Sequence, residues 1–226
     1  MTERLELLIV EDKAEESDHA KLEAKKLGLT NLAVAQNLEQ AFNLLDSNPQ
    51  YIASDLFFPV GNLDVKQYVK KFLPFYEEYE RRRFPTFEAS ILHKVIKQYE
   101  NIGVSMEKYE QDWLPILGKP MGEEYIEMIR DHIHLRKDYS RFVKFQSVKQ
   151  AIQDESNLPL GISLIERAIE KGIPIVIVTS TYHHDHAFEP VRDSIKVPYY
   201  DTLIGVDNNN TKNWQAGIKH LVQGEK

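Results

Sequence analysis

Residues 51 to 59 read Tyr-Ile-Ala-Ser-Asp-Leu-Phe-Phe-Pro, a short apolar run that reaches a carboxylate at Asp55. A run of this length after an Asn-Pro break predicts a buried strand whose last residues meet a polar edge. Residues 5 to 12, Leu-Glu-Leu-Leu-Ile-Val-Glu-Asp, repeat this pattern and end in Glu11 and Asp12. The two stretches therefore predict two strands of one sheet with acidic residues at their ends.

Amphipathic segments alternate with these strands, which predicts crossover helices. The predicted order is a strand at 5–10, a helix at 14–27, a strand at 32–35, a helix at 38–45 and a strand at 51–54. The alternation resumes later as a helix at 162–171, strands at 174–178 and near 199–204, and a helix from about 212 to 223. Right-handed crossovers then give an α/β fold, a doubly wound sheet of parallel strands whose carboxyl-end crevice binds ligands.

Between the two halves of this pattern lies a long segment with helical periodicity. Residues 62–156 contain 16 acidic and 16 basic residues and are rich in tyrosine. Helices are predicted there over residues 65–80, 87–101, 106–116 and 123–154. The chain is thus expected to have an α/β domain formed by residues 1–61 and 157–226, with 62–156 as an inserted α-helical subdomain.

Composition excludes several classes of protein. The 226 residues carry a net charge of -7, and because the inserted segment is neutral, the acidic excess lies in the flanks. No basic footprint for nucleic acid is present. No apolar run approaches the roughly 20 residues of a membrane span, and the start of the chain lacks the features of a signal peptide. The absence of cysteine suits a reducing compartment, so we expect a cytoplasmic protein.

Glu11, Asp12 and Asp55 are the candidate metal ligands. Because the ends of neighbouring parallel strands meet at one edge, the three carboxylates are expected to lie close together and to repel one another. A hard divalent cation relieves that repulsion, and Mg²⁺ prefers oxygen ligands while still accepting a phosphate oxygen. One carboxylate could then act as a nucleophile toward a phosphoryl group, and Asp55 is the natural choice.

Three motifs resemble those of the receiver domains of two-component response regulators. The acidic pair after the first strand matches Ile9-Val10-Glu11-Asp12, and the phosphoacceptor motif Asp-Leu-x-x-Pro matches residues 55–59. A fourth strand that follows a proline and ends in a hydroxyl residue matches residues 174–179, and the glycine after the motif is found as Gly161. The resemblance covers about residues 1–61 and 157–226.

The resemblance implies a CheY-like fold with the flavodoxin-like strand order 2-1-3-4-5 and a signalling domain rather than an enzyme. It implies that Asp55 accepts a phosphoryl group, that Glu11 and Asp12 hold Mg²⁺ with it, and that Thr179 supplies the switch hydroxyl. A histidine kinase or another protein is the implied partner, with the insertion as output surface. The family's lysine at the end of the fifth strand is missing, and Lys212, just before the last helix, is the best candidate.

Two other interpretations stay open. If no cation reaches Asp55, the chain is a pseudo-receiver that keeps the fold and acts as a binding or scaffold protein. The second alternative resembles haloacid dehalogenase phosphatases, with Asp55 as nucleophile, residues 62–156 as the cap and 205–208, Gly-Val-Asp-Asn, as an acidic metal motif. That family has a second Asp two residues after the nucleophile, where this chain has Phe57.

Residues 182–186, Tyr-His-His-Asp-His, form another conspicuous cluster. Imidazoles with a carboxylate could bind Zn²⁺ or another transition metal. Adjacent histidines in an extended loop diverge, however, so we favour a polar surface loop as the explanation of His183, His184 and His186. The two tryptophans, Trp113 and Trp214, are expected to be packing residues.

Overall fold

A computed structural model describes residues 4–84, 141–155, 158–180, 186–200 and 211–224, together with the backbone of 202–203. The helices predicted at residues 87–101 and 106–116 lie outside these ranges. Of the helix predicted at 123–154, the described part is helical over residues 141–153. Among the helices described, none combines the length and apolar character that a bilayer-spanning segment requires.

Five strands in the described residues form one parallel sheet, as predicted. They are β1 (Leu7–Val10), β2 (Leu32–Ala35), β3 (Tyr51–Ser54), β4 (Ile175–Val178) and β5 (Tyr199–Tyr200). Their order is β2-β1-β3-β4-β5, the flavodoxin-like arrangement. Every residue of β1 and β4 is buried, which is why both strands read as continuous aliphatic runs.

Helices cover both faces of this sheet. On one face α1 (Ala14–Lys26) and α5 (Trp214–Gln223) pack with alternate strand residues in a core that includes Leu7, Val178 and Ile218. On the other face α2 (Leu38–Leu45) contacts β1 and α4 (Gly161–Glu170), which in turn contacts β4. Since strand side chains alternate between faces, both sets of apolar residues are buried by this double layer.

A further long helix, α3 (Val65–Arg83), continues through Pro74. Its buried side chains are Tyr68, Phe72 and Tyr76, and the Tyr76 hydroxyl donates to the carbonyl of Ala187 at 2.7 Å. This hydrogen bond ties α3 to the segment between β4 and β5. That segment contains a short 3₁₀ helix, Arg192–Ser194.

The chain divides into two compact units. The first comprises Met1–Tyr79 and Ser147–Lys226, and the second comprises Glu80–Gln146. Within the described part of the second unit, Phe84 packs against Phe142 and Phe145 with ring centroids 5.4 and 5.6 Å apart. The boundaries 62 and 156 of the expected insertion stay a prediction.

The end of the predicted fifth strand differs from expectation. The strand predicted at 199–204 is split: β5 ends at Tyr200, and β6 (Thr202–Leu203) pairs antiparallel with β7 (Thr211–Lys212) in a separate sheet. The cause is a change of hydrogen-bonding partner, because residues 202–203 bond the segment that precedes α5 instead of β4. Lys212 consequently lies in a strand, and α5 begins two residues later than predicted, at Trp214.

Candidate functional site

The carboxyl-end edge of the sheet brings together the side chains that the sequence singled out. Glu11 follows β1, Asp55 follows β3 and Thr179 follows β4. The backbone N–H of Asp55 donates to the carbonyl of Val10 at 2.8 Å, so the strand pairing itself sets the two acidic positions side by side. All three side chains are buried.

Lys212 joins this group from the far end of the chain. Its side chain is 1% exposed, and its Nζ donates to Asp55 Oδ2 at 2.6 Å and to Glu11 Oε2. A buried ammonium without partners is expensive, and two carboxylates compensate it here. The Glu11–Lys212–Asp55 triad is therefore one buried ionic unit, although its cation stands 157 positions after Asp55.

Asp55 accepts hydrogen bonds at both carboxylate oxygens. Its Oδ1 accepts from the backbone N–H of Leu56 at 2.6 Å, while Oδ2 faces Lys212. Burial raises the pKa of Asp55, and Lys212, the Leu56 N–H and a hydrogen bond with Thr179 oppose that rise. Three groups that favour the anion thus surround a carboxylate taken out of water.

Glu11 and Lys212 show the opposing effects of burial and charge. Burial, followed by repulsion from Asp55, raises the pKa of Glu11 to about 7, although Lys212 and the Lys13 N–H favour its ionised form. Burial lowers the pKa of Lys212, but the attraction of Asp55 and Glu11 outweighs it and the net shift is upward. The triad therefore holds its cation firmly and takes up a proton on Glu11 near neutral pH.

A cluster of carboxylates at this edge could hold a metal ion. Glu11, Asp12 and Asp55 each offer one oxygen, and these oxygens lie within 4.8 Å of one another. Asp12 is exposed, whereas the other two are buried. An all-oxygen donor set at this spacing suits a hard divalent cation, and Lys212 already neutralises part of the negative charge.

Gly161 allows α4 to approach the end of β3 closely. A Cβ atom at this position would lie 2.8 Å from the carbonyl oxygen of Asp55 and 3.0 Å from Cα of Leu56. The Gly161 N–H donates to the Leu56 carbonyl at 3.0 Å. The glycine is needed here because backbone approaches backbone, which no larger residue permits.

An open cleft of about 580 Å³ leads to the site. Its polar side chains are those of Asp12, Lys13, Asp55, Glu155 and Ser180, and Phe57 lies among its apolar residues. Asp55 is only 5% exposed, but it lines this cleft. Asp55 is therefore open to this cleft from one side.

Two candidate clusters fall largely outside the described residues. The acidic motif at 205–208 lies there, as do His183, His184 and Asp185. His186 is described and half-buried. The possible metal site at the histidines and the acidic metal motif of the phosphatase alternative therefore stay predictions.

Sequence reasoning missed one part of the surroundings of the triad. Trp214 is buried, as expected of a packing residue, but its indole Nε1–H donates to Glu16 Oε2 at 2.9 Å. Its ring centroid lies 5.8 Å from Lys212 Nζ. The signal in the sequence was Trp214, two residues after the candidate lysine. This spacing becomes informative only when Lys212 is known to be buried.

Fold and site together define an α/β protein of flavodoxin-like strand order with a buried Glu-Lys-Asp triad at the carboxyl edge of its sheet. Comparison of the chain with family models, with curated proteins and with solved structures gave no match.

Proposed function

We propose that this chain is a receiver-like signalling module in which Asp55 accepts a phosphoryl group in the presence of Mg²⁺. The observation that carries the proposal is the hydrogen bond from Lys212 to Asp55 at 2.6 Å. The motifs around Asp55 resemble those of receiver domains, and the open question from the sequence was whether a cation reaches it. A lysine ammonium beside the nucleophile supplies the charge that phosphoryl transfer requires.

The proposed chemistry uses the residues as they stand. A carboxylate oxygen of Asp55 attacks the phosphorus atom of a donor, forming a P–O bond while the bond to the leaving group breaks and that group departs with its electron pair. Mg²⁺ bound by Glu11, Asp12 and Asp55 would neutralise charge on the phosphoryl oxygens. Lys212 remains protonated and pairs with one oxygen of the phosphoryl group, and the Thr179 hydroxyl donates to another phosphoryl oxygen.

The donor and the output follow from the same resemblance. A phosphohistidine of a histidine kinase is the proposed protein donor, and acetyl phosphate is a small-molecule substitute for it. The inserted segment, residues 62–156, is the proposed output or partner surface. We propose a cytoplasmic location for this exchange.

The test compares the wild-type protein with Asp55→Asn in Mg²⁺ and acetyl phosphate. Intact-mass measurement is expected to find one added phosphoryl group on the wild type and none on Asp55→Asn. Beryllium fluoride, which mimics a phosphoryl group on a carboxylate, should shift amide NMR signals near β4 only in the wild type. Asp46→Asn is the matched control, because Asp46 caps the far end of α2 and pairs with Lys171 on the surface.

Two other results would identify the alternatives. No phosphoryl adduct and no beryllium fluoride response in a folded wild-type protein would indicate a pseudo-receiver that binds partners without phosphorylation. Continuous release of phosphate from a phosphomonoester, lost in Asp55→Asn, would indicate a phosphatase. Phe57 lines the cleft where that chemistry uses a second acidic residue, so we do not favour the phosphatase.

A further inference from the structure

Besides its two carboxylate partners, Lys212 has an aromatic neighbour, Trp214. Trp214 is fully buried beside it, with the ring centroid 5.8 Å from the ammonium nitrogen. The face of an indole ring carries partial negative charge and attracts a cation at this distance. Lys212 thus has carboxylates within hydrogen-bonding distance and an aromatic ring nearby.

The position of Trp214 is itself fixed from two directions. Asn213 caps α5 by accepting the N–H of Ala216 at 3.2 Å, so Trp214 occupies the first position of that helix. Gly217, three residues on, lets α5 approach β4 closely, because a Cβ there would lie 2.6 Å from Val178 Cγ2. The start of α5 is therefore held close to the end of the sheet where Lys212 meets Asp55.

Glu16 holds the other end of the indole. It lies in the first turn of α1, and its Oε2 accepts the Nε1–H of Trp214 at 2.9 Å. A buried indole N–H needs an acceptor, and a carboxylate is a strong one. This bond connects α1, which follows Glu11 and Asp12, to α5, which follows Lys212.

We propose that Trp214, held by Glu16, is a positioning residue that keeps the Lys212 ammonium against Asp55 and Glu11. A lysine side chain has four rotatable bonds and loses considerable entropy when it is fixed. The indole ring of Trp214 limits the positions that the ammonium can occupy. The hydrogen bond to Glu16 in turn fixes the orientation of the ring. The effect of Trp214 on phosphoryl transfer rests on the proposed function. Its effect on the position of Lys212 does not.

The experiment follows the Lys212 ammonium directly. Its ¹⁵N–¹H signal is assigned by its loss in Lys212→Met, and proton exchange with water is measured at that signal. In Glu16→Ala we expect exchange to become roughly fivefold faster, and labelling by acetyl phosphate to slow by a similar factor, as loss of one contact of this kind implies. Glu16→Gln, whose amide oxygen can still accept the indole N–H, should preserve both values.

Matched variants separate positioning from general destabilisation. Glu15→Ala removes an exposed neighbour in the same turn and should leave Lys212 exchange unchanged. If Glu16→Ala does not fold, Trp214→Phe, which keeps a ring but has no N–H to donate, should show the faster exchange instead.

Unchanged Lys212 exchange in a folded Glu16→Ala protein would overturn the proposal and leave Trp214 as core packing. The same holds if Glu16→Gln and Glu16→Ala behave alike. Failure of the proposed function looks different: the wild type would then take up no phosphoryl group, while the exchange of Lys212 would still respond to Glu16→Ala.

Discussion

Replacing Lys212 with methionine tests whether the buried triad is ionic. The substitution keeps an unbranched stem in a site that is 1% exposed but removes the ammonium shared by Glu11 and Asp55. Removing one partner of a buried ion pair costs about 3–5 kcal/mol, because the remaining charge stays buried without compensation. We therefore expect the free energy of unfolding at pH 8 to fall by about this amount.

The loss should depend on pH in a defined direction. Burial and repulsion already raise the pKa of Glu11 to about 7, and without Lys212 the pKa values of both carboxyls must rise further. A folded state that binds more protons than the unfolded state becomes less stable as pH rises, by about 1.4 kcal/mol per proton and pH unit. At pH 5.5 the protonated carboxyls need no cation. The loss of unfolding free energy caused by Lys212→Met should therefore be smaller than at pH 8 by at least ~1–2 kcal/mol.

Urea denaturation at pH 5.5 and pH 8 measures both values. Lys171→Met is the matched control, since Lys171 lies on the surface and pairs with Asp46 at 3.1 Å. Its loss should stay below about 1 kcal/mol at either pH. A Lys212→Met loss that is equal at the two pH values, or as small as that of the control, would refute the buried ionic triad.

Three further predictions concern other features. Gly161→Ala should lower stability by ~1–3 kcal/mol in thermal unfolding, since its Cβ would meet the Asp55 carbonyl at 2.8 Å; an unchanged Tm would contradict this close approach. Mg²⁺ affinity measured by calorimetry should rise with pH up to about 7 and then level off, because Glu11 must lose its proton to bind a cation; affinity independent of pH would exclude Glu11 as a ligand. Hydrogen bonds from the backbone N–H groups of residues 31 and 30 lower the pKa of Glu6. Glu6→Gln should therefore lower the free energy of unfolding at neutral pH, and its difference from the wild type should shrink as acid protonates Glu6. A difference in stability that persists in acid would contradict this.

The sheet was predictable because its signals are local. The second and third strands and the helix between them have the bounds expected at 32–35, 51–54 and 38–45. The two strands are short, largely apolar runs and the helix is amphipathic, and turn residues such as Gly28, whose φ is +87°, separate the elements. The parallel order 2-1-3-4-5, which the resemblance to receiver domains implied, is also confirmed.

The surroundings of the site were less predictable because they depend on tertiary contacts. Whether residues 202–203 extend β5 or pair with Thr211–Lys212 is decided by backbone partners that no local pattern specifies. The position of Lys212 before the last helix made it a candidate, but its contacts with Glu11 and Asp55 span 201 and 157 positions of the chain. The bond between Trp214 and Glu16 joins residues 198 positions apart and leaves no local signature.

The long separation between members of the triad has a consequence for the order of folding. Glu11 and Lys212 are 201 positions apart, and β3 pairs with β4 across the whole inserted segment. Closing so long a loop costs only slightly more than closing one of half its length, since the entropy grows with the logarithm of length. Contacts of such high sequence separation are nonetheless slow to form. The triad should therefore be among the last features to assemble, and partly folded chains that already contain β1 to β3 would still lack their cation.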